Sequence, residues 1–332
     1  MSKIRVGIVA GGISSEHEIS CSSAGSVLKA IDRNRFEPVL IGITKSGQWV
    51  QPGADQPLAI VDGVLPEITE GTPRSAEEMI RSVDVLFPLL HGTFGEDGEF
   101  QALCESFGAK YVGSGVEASS IAMDKSLAKQ YFASQGLGVA QGIVVTTADG
   151  INSSAFTFPV FVKPARGGSS RGTTKVKSAD GVKSAVLEAL RFDSKVMIES
   201  AVIGREIECA VLEKDGAAIA SPLTEVKVLG NHEFYDFDAK YLDGSTTFSD
   251  PTDLPADIYA EIQSSAVKAF KALGCRGLAR VDFFYADGKI VINELNTLPG
   301  FTATSVYPKL WQQAGISYTD LITTLLLNTQ NL

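Results

Sequence analysis

The chain has 332 residues, of which 44% are hydrophobic and 20% are charged, and its formal net charge is −10. This composition is typical of a globular protein of two or three domains and excludes a largely disordered chain. The acidic balance argues against a general nucleic-acid or membrane-surface binder, because both partners call for a basic face. Four widely spaced cysteines, with no metal-type spacing, signal peptide or long apolar span, predict reduced thiols in the cytosol.

The first part of the chain has the pattern of an open, mostly parallel α/β sheet. Apolar runs bounded by turn residues predict buried strands at Ile4–Val9, Val39–Ile43 and Val83–Leu90. A helix over Cys21–Ile31 is expected to be entered through Ser20. Upstream of it, Ser14 or Ser15 is expected to cap a helix N-terminus, with Glu18 completing a capping box.

A second unit follows, in which strands alternate with helices at longer spacing. The sequence predicts a helix over Asp124–Gln135, strands over Phe158–Lys163, Lys195–Glu199 and Glu206–Leu212, and a helix over Ala256–Leu273 ended by Gly274. A polar stretch from Leu229 to Pro255 separates the last two, and long loops of this kind are often lids.

The strongest chemical signal lies in two strand-like segments, 278–285 and 289–296, which carry charges within apolar runs. Arg280 and Asp282 share one face of the first strand, and Glu294 and Asn296 share one face of the second. A three-residue loop, or a bulge near it, is expected because it brings all four groups to one side, whereas a plain two-residue turn would separate them. Cations such as Mg²⁺ would then meet the carboxylates. An ordinary hairpin with one solvated face explains the alternation equally well.

A Gly/Ser loop, Arg166–Gly172, follows the strand that ends near Lys163. Its backbone N–H groups are suited to phosphates, although it lacks the P-loop pattern, and a plain connection is the alternative. Lys163, at a strand end, and Lys125, at a helix start, can deliver point charges to a polyphosphate.

Two loops near the carboxyl edge of the first sheet carry further candidates. Glu16 is suited to pairing with a substrate ammonium. His91 precedes a run with three glycines, which suggests a backbone that closely approaches another group; ligand contact and a core histidine are equally compatible with it. The segment Asn296–Ser305 follows the charged hairpin directly, so its N–H and hydroxyl groups can face the same site.

Taken in order, these segments resemble the ATP-grasp superfamily and, within it, the D-alanine:D-alanine ligases. The resemblance spans essentially the whole chain. It rests on the collinear set Ser15-Glu16-His17-Glu18, His91-Gly92 with Gly95-Glu96-Asp97-Gly98, Met123-Asp124-Lys125, Lys163-Pro164 with Gly168-Ser169-Ser170, Lys240-Tyr241, Arg280 with Asp282, and Glu294-Leu295-Asn296.

The resemblance implies a fold and a division of the chain. The fold class is mixed α/β and α+β, with an N-terminal open parallel sheet domain over 1–118, a small central α+β domain over 119–203, and a C-terminal α+β domain with an antiparallel sheet over 204–332. ATP would bind between the last two. The family also implies a cytoplasmic homodimer that acts in peptidoglycan precursor synthesis and has no nucleic-acid or membrane partner.

The implied reaction is ligation of two D-alanine molecules through an acyl phosphate, with release of ADP and phosphate. Asp282, Glu294 and Asn296 would hold two Mg²⁺ or Mn²⁺ ions, and Arg280 with the Gly300 N–H would stabilise the tetrahedral oxyanion. Glu16, His91, Ser305 and Val306 would bind the two D-alanines, while Ser169 and Tyr241 would link a lid to the site. The implied ATP contacts are Lys125, Lys163, Ser169, Ser170, Glu199, Ser200, Ala201, Val202, Glu206, Phe234, Lys240 and Phe284.

Two departures and two alternatives accompany this interpretation. Ser200 stands where a lysine often reaches adenine, and Gly167 where a glutamate can precede the glycine. Tyr241 in place of a histidine favours dipeptide over depsipeptide formation, because a neutral phenol does not repel an ammonium substrate. The alternatives are a ligase that makes D-Ala-D-lactate or D-Ala-D-Ser, and a nucleotide-binding module without catalysis.

Overall fold

The computed structural model describes residues 2–61, 63–228 and 246–329. These residues form three sheets with helices packed on them. Within the described ranges no helix is both long enough and apolar enough to span a bilayer.

The N-terminal sheet has the strand order β4-β3-β2-β1-β5, and its centre is parallel, as predicted. β1 pairs in parallel with β2 and β5, whereas β3 and β4 add an antiparallel edge. The strands are β1 (Ile4–Gly11), β2 (Phe36–Ile43), β3 (Trp49–Gln51), β4 (Thr72–Pro73) and β5 (Val85–Pro88), and the helices are α1 (His17–Ala30), α2 (Ala76–Arg81) and α3 (Glu99–Ser106).

The start of α1 differs from the sequence prediction. The helix begins at His17, four residues before Cys21, and Glu16 occupies its N-cap without a side-chain capping bond. Ser14 instead donates from its hydroxyl to the carbonyl of His91 at 2.6 Å and accepts the Glu16 N–H. Glu18 pairs with Lys45 at 2.5 Å. The predicted capping box is therefore wrong, because both of its side chains bind neighbouring loops.

The rest of the chain builds two antiparallel sheets. The smaller has the order β6-β9-β7-β8 and the larger β12-β11-β10-β13-β14. The strands are β6 (Gly142–Val145), β7 (Val160–Pro164), β8 (Thr174–Val176), β9 (Val196–Ser200), β10 (Arg205–Lys214), β11 (Ala217–Val228), β12 (Thr246–Ser249), β13 (Leu278–Ala286) and β14 (Lys289–Asn296). The helices are α4 (Val116–Met123), α5 (Lys125–Ser134), α6 (Val182–Ala189), α7 (Ala256–Ala272), α8 (Val306–Gln313) and α9 (Tyr318–Asn328).

The β13–β14 hairpin combines an even turn with a bulge. Asp287 and Gly288 form a two-residue turn with φ of 50° and 75°, so the predicted three-residue loop is wrong. Such a turn matches the twist of the flanking strands. The register then shifts, because Phe283 pairs with Ile292 but Asp282 pairs with Glu294. The extra residue, Asn293, is the bulge that was the other predicted solution, and it keeps the charged groups on one face.

Some helices pack against a sheet that is distant from them in the sequence. Tyr307 and Trp311 of α8 are buried in one cluster with residues of β1 and β5, including Val6 and Phe87. Helices α4 and α5 contribute Phe132, Ala118, Ala122 and Ala128 to the cluster beneath the larger antiparallel sheet. The boundary proposed at residue 203 stays a prediction, and α4 and α5 belong by packing to the C-terminal sheet.

Gly25 is expected to reject alanine although it lies within α1. Alanine usually stabilises a helix by about 1 kcal/mol relative to glycine. Here a Cβ would lie 2.0 Å from the carbonyl oxygen of Leu58, so the backbone must move. Overpacking of this kind costs about 1–3 kcal/mol, and Gly25→Ala should therefore lower the free energy of unfolding measured in urea. The exposed Lys29→Ala variant is the control, and a stabilised Gly25→Ala protein would contradict the packing.

Candidate active site

Two adjoining cavities lie beside the antiparallel sheets. The first lies between the two antiparallel sheets, and the second opens towards α1 and the loop after β14. Lys125, Gly167, Ser169 and Glu294 line both. These four residues therefore form the junction at which a phosphoryl group in one cavity would meet an acceptor in the other.

The floor of this junction is the face of β13 and β14 on which the sequence placed its charges. Arg280 donates from Nε and Nη2 to the two carboxylate oxygens of Asp282 at 2.7 and 2.8 Å. Asn296 donates from Nδ2 to Asp282 at 3.1 Å. Glu294 lies opposite Asp282 in the register and pairs with Lys125 at 3.2 Å. The predicted convergence of Arg280, Asp282, Glu294 and Asn296 is thus present.

These donors suit a hard cation better than a softer one. Across residues 2–61, 63–228 and 246–329, no three His, Cys, Asp or Glu side chains converge in a metal-type cluster. The candidate set is instead two carboxylates and an amide oxygen, Asp282, Glu294 and Asn296, and oxygen donors are what Mg²⁺ and Mn²⁺ prefer. Asp282 already pairs with Arg280 and Glu294 with Lys125, so both carboxylates are placed to neutralise positive charge.

The Gly/Ser loop reaches across the junction with an unusual backbone. Ser169 and Ser170 have φ of 52° and 57°, a left-handed conformation that side-chain-bearing residues seldom adopt. Ser169 donates its hydroxyl to Glu16 at 2.6 Å. Lys125 donates to the carbonyl of Gly167 at 2.7 Å, so it links this loop to Glu294. Backbone held in this way is suited to cradling an anion.

The first cavity is lined by both apolar and charged side chains, as a nucleotide requires. Predicted residues that line it are Lys125, Lys163, Ser169, Ser170, Glu199, Ser200, Val202, Glu206 and Phe284, together with Asp282 and Glu294. Phe161, which the sequence did not single out, also lines it. Ala201 does not line it; its N–H donates to the carbonyl of Pro159 at 3.1 Å.

A buried ion cluster adjoins the first cavity. Glu199 pairs with Lys163 through one carboxylate oxygen and with Lys129 through the other, at 2.5 Å from the Lys129 Nζ. Burial alone would raise the pKa of Glu199, but Lys163 and Lys129 outweigh it and hold that pKa at about 2. Burial and the nearby Lys163 lower the pKa of Lys129 to about 8. Sequence reasoning missed Lys129; its only signal is a position one helical turn after Lys125.

The second cavity gathers every predicted substrate-binding residue. Its lining includes Glu16, His91, Arg280, Gly300, Ser305 and Val306. Ser305 occupies the N-cap position of α8 without a side-chain capping bond, so the Val306 N–H belongs to the first turn of a helix, where donors lack an intrahelical partner. This arrangement is suited to a carboxylate. A Cβ on Gly300 would lie 3.3 Å from the Ser305 hydroxyl, so glycine keeps these two positions close.

His91 is held as a neutral ring. Its Nδ1 lies 3.0 Å from the carbonyl of Leu298 and its Nε2 lies 3.4 Å from the hydroxyl of Ser23. Because a carbonyl only accepts, Nδ1 carries the proton and Nε2 accepts from Ser23. Burial lowers the pKa of His91, in spite of the opposing effect of Glu16. The ring therefore shapes the cavity wall without adding a positive charge.

Three predicted residues, Phe234, Lys240 and Tyr241, lie outside the described residues.

Comparison with known proteins finds a family match over both halves of the chain. The family model described as D-ala D-ala ligase N-terminus matches residues 5–114, and the model described as D-ala D-ala ligase C-terminus matches residues 132–327. The chain belongs to the D-alanine–D-alanine ligase family. The family predicted from the sequence motifs is thereby confirmed.

Relatives of this family match nearly the full length. The D-alanine–D-alanine ligase of Mycolicibacterium smegmatis is 47% identical, covering 96% of this chain and 94% of the relative. That of Mycobacterium tuberculosis is 43% identical, covering 98% and 95%.

Solved structures share the fold. The VanG D-Ala:D-Ser ligase from Enterococcus faecalis superimposes with a TM-score of 0.84 at 31% identity, over 99% of this chain and all of that chain. The D-alanine–D-alanine ligase from Coxiella burnetii gives 0.81 at 31% identity, over 100% and 96%. The Bacillus anthracis ligase complexed with ATP gives 0.77 at 28% identity, over 99% of each chain. The predicted mixed α/β fold is confirmed.

Glu96 is a further acidic residue that lines the second cavity. Its carboxylate accepts from the Gly92 N–H at 2.7 Å and the Leu298 N–H at 3.4 Å. Burial of the carboxyl, followed by the nearby Glu16, raises the pKa of Glu96 to about 8 against the opposing pull of those N–H groups and Arg280. The Glu96 carboxyl therefore binds its proton more tightly than an exposed glutamate does.

This raised pKa predicts a pH-dependent stability. The folded protein holds the Glu96 proton that the unfolded chain, with an ordinary pKa of 4.5, releases. Its contribution to stability is thus complete below pH 4.5 and is lost as the pH rises to about 8. Glu96→Gln should flatten that loss, which is at most about 1.4 kcal/mol per pH unit, in urea unfolding of the ligand-free protein. The exposed Glu99→Gln should keep the wild-type slope; an unchanged slope in Glu96→Gln would contradict the buried proton.

Proposed function

We propose that this chain joins two D-alanine molecules to D-alanyl-D-alanine, converting ATP to ADP and phosphate through an acyl phosphate, for peptidoglycan precursor synthesis. The observation that carries the proposal is the junction of the two cavities. There, phosphate-directed lysines, the Gly/Ser loop and the carboxylate floor meet between a cavity lined by the residues expected to contact ATP and a cavity with carboxylate- and ammonium-binding groups.

ATP binds in the first cavity with its base against the apolar side chains of the lining. The N–H groups of Ser200 and Ala201 already donate to Gln141 and Pro159 within the protein, so the Val202 N–H is the donor offered to the adenine edge. Phe284 and Phe161 contact the base, and Glu206 accepts from a ribose hydroxyl. The triphosphate then extends to Lys163, Lys125 and the Gly/Ser loop.

The first D-alanine lies in the second cavity, with its ammonium at Glu16 and its carboxylate at the junction. Lys125 and the left-handed backbone at Ser169 and Ser170 align the terminal phosphate of ATP with that carboxylate. Most of the rate gain in phosphoryl transfer comes from such positioning and charge neutralisation. The Ser169–Glu16 bond ties the phosphate loop to the ammonium site, so closure of one orders the other.

The second D-alanine is held by its carboxylate at Ser305 and the Val306 N–H. Its amine then attacks the acyl phosphate carbon. The oxyanion that forms accepts hydrogen bonds from Arg280 and from the Gly300 N–H. The attack forms the C–N bond, and collapse of this intermediate breaks the C–O bond to phosphate, which leaves while the nitrogen loses a proton to give the amide.

Asp282, Glu294 and Asn296 are proposed to hold two Mg²⁺ ions, with Mn²⁺ as a substitute. When bound, the ions neutralise charge that develops on the transferring phosphoryl group. Lys125, which pairs with Glu294, and Arg280, which pairs with Asp282 and Glu208, lie beside this set and would contact the phosphate and the oxyanion.

We also propose a cytoplasmic homodimer without nucleic-acid or membrane partners. The reaction draws on ATP and D-alanine, and the four cysteines are unpaired and buried, which suits a reducing compartment. The dimer rests on the family resemblance alone.

The deciding experiment is an ADP-release assay with D-alanine, L-alanine, D-lactate or D-serine as substrates, with and without Mg²⁺. Release with D-alanine and Mg²⁺ only, and a dipeptide product by mass spectrometry, is expected. Faster turnover of D-alanine with D-serine or D-lactate than with D-alanine alone would assign the chain to a different member of the family. Absence of ADP release in every mixture would favour a nucleotide-binding module.

A further inference from the structure

Behind the nucleotide cavity lies an ion cluster that the reaction described above does not fully use. Lys129, Glu199 and Lys163 have side chains that are 7%, 7% and 10% exposed. Lys163 and Glu199 line the cavity, whereas Lys129 does not. Lys129 therefore contacts Glu199 from the side away from the nucleotide.

The charges in this cluster are unequal. Two ammonium groups share one carboxylate, and each contacts a different oxygen of Glu199. Lys163 also lies 3.4 Å from the Oδ1 of Asn293, the bulged residue of β14. When a phosphate arrives at Lys163, that lysine has to leave Glu199 or share its charge. A carboxylate left alone in this buried place is costly, and it would repel the phosphate.

Lys129 resolves this conflict. With phosphate on Lys163 and Glu199 on Lys129, the two ammonium groups each face one anion. We propose that Lys129 is a positioning residue that neutralises Glu199 from behind the cavity, so that Lys163 is free to bind the ATP phosphates. This inference rests on the proposed use of ATP, and it assigns Lys129 no contact with the nucleotide.

The geometry separates this role from a purely structural one. Glu199 is continuous with the segment that receives adenine, but the effect of Lys129 passes through Lys163 to the phosphates. Loss of Lys129 should therefore weaken the binding of nucleotides that carry phosphates and leave the binding of adenosine unaffected. A structural defect in β9 or α5 would weaken adenosine and ADP alike.

The test is calorimetric binding of ADP and adenosine to the full chain, with Lys129→Met and Lys129→Arg. Lys129→Met should weaken ADP about ten- to a hundredfold, which is the range for a hydrogen bond to a charged group, and leave adenosine within twofold. Lys129→Arg, which retains the charge, should lose less than Lys129→Met. The KM for ATP should rise in Lys129→Met more than kcat falls. Equal losses for ADP and adenosine would overturn the proposal.

A second comparison does not depend on the stability of the single variant. In a Glu199→Gln background there is no carboxylate to neutralise, so adding Lys129→Met should change ADP affinity by less than twofold. A tenfold or greater loss in that background would overturn the proposal. If the wild-type chain binds neither ADP nor ATP, the proposed function fails instead; if it binds both and Lys129→Met weakens neither, only the role of Lys129 fails.

Discussion

Glu294→Gln is expected to abolish most turnover while the protein still folds. Glu294 lies at the junction of both cavities, opposite Asp282 and 3.2 Å from Lys125. An amide of the same shape keeps one oxygen but loses the negative charge that a divalent cation needs. Mutation of groups that only support a metal ligand costs about 10–100-fold, so loss of a direct ligand should lower kcat by about 100-fold or more.

Two measurements separate this effect from misfolding. Thermal unfolding of the metal-free Glu294→Gln protein should stay near that of the wild type, because Glu294 is partly exposed at a cavity wall. Binding of Mn²⁺ in the presence of ADP, followed by electron paramagnetic resonance, should weaken. Glu188→Gln, an exposed residue of α6, serves as the matched control and should change neither quantity. Turnover within threefold of the wild type would exclude Glu294 as a metal ligand.

The hairpin that carries Glu294 illustrates how far the sequence leads. Alternation along 278–285 and 289–296 predicts two strands with charges on one face, and both the strands and the shared face are present. The alternation cannot distinguish a loop with an odd number of residues from a bulge, because each brings the charged side chains of both strands to the same face. The choice depends on turn energy: Asp287-Gly288 suits two left-handed residues in sequence, and the ladder accommodates Asn293 further along.

The sequence did not predict which side chains from distant segments of the chain contact each other. Residues that follow a strand or contain glycines, such as Glu16 and His91, were identifiable because loops at sheet edges form sites. Lys129 was not, since a lysine on a helix is normally solvated and only the packing of α5 places it next to Glu199. The sequence also placed the start of α1 at the wrong residue, for a related reason. Ser14 and Glu18 form their hydrogen bond and ion pair with His91 and Lys45, which lie far along the chain.

Arg280→Lys should also lower kcat strongly, although lysine conserves the positive charge of arginine. Arg280 binds Asp282 through two nitrogens and lies 3.4 Å from Glu208 on β10. A lysine has one ammonium on a flexible stem, so it cannot keep this forked contact and present a donor to the oxyanion together. Loss of one oxyanion donor costs about 10²–10³ in kcat, and this is the expected decrease.

The position of Arg280 predicts which step slows. Asp282 faces the nucleotide cavity whereas Arg280 lines the second, so the attack of the second amine should suffer more than phosphoryl transfer. Arg280→Lys should therefore release ADP faster than it forms dipeptide, because hydrolysis of the acyl phosphate competes with ligation. The ratio of ADP to D-alanyl-D-alanine, near one in the wild type and in the exposed control Arg191→Lys, should rise. A ratio that stays near one while both products decline would place the main role of Arg280 at the metal site with Asp282, not at the oxyanion.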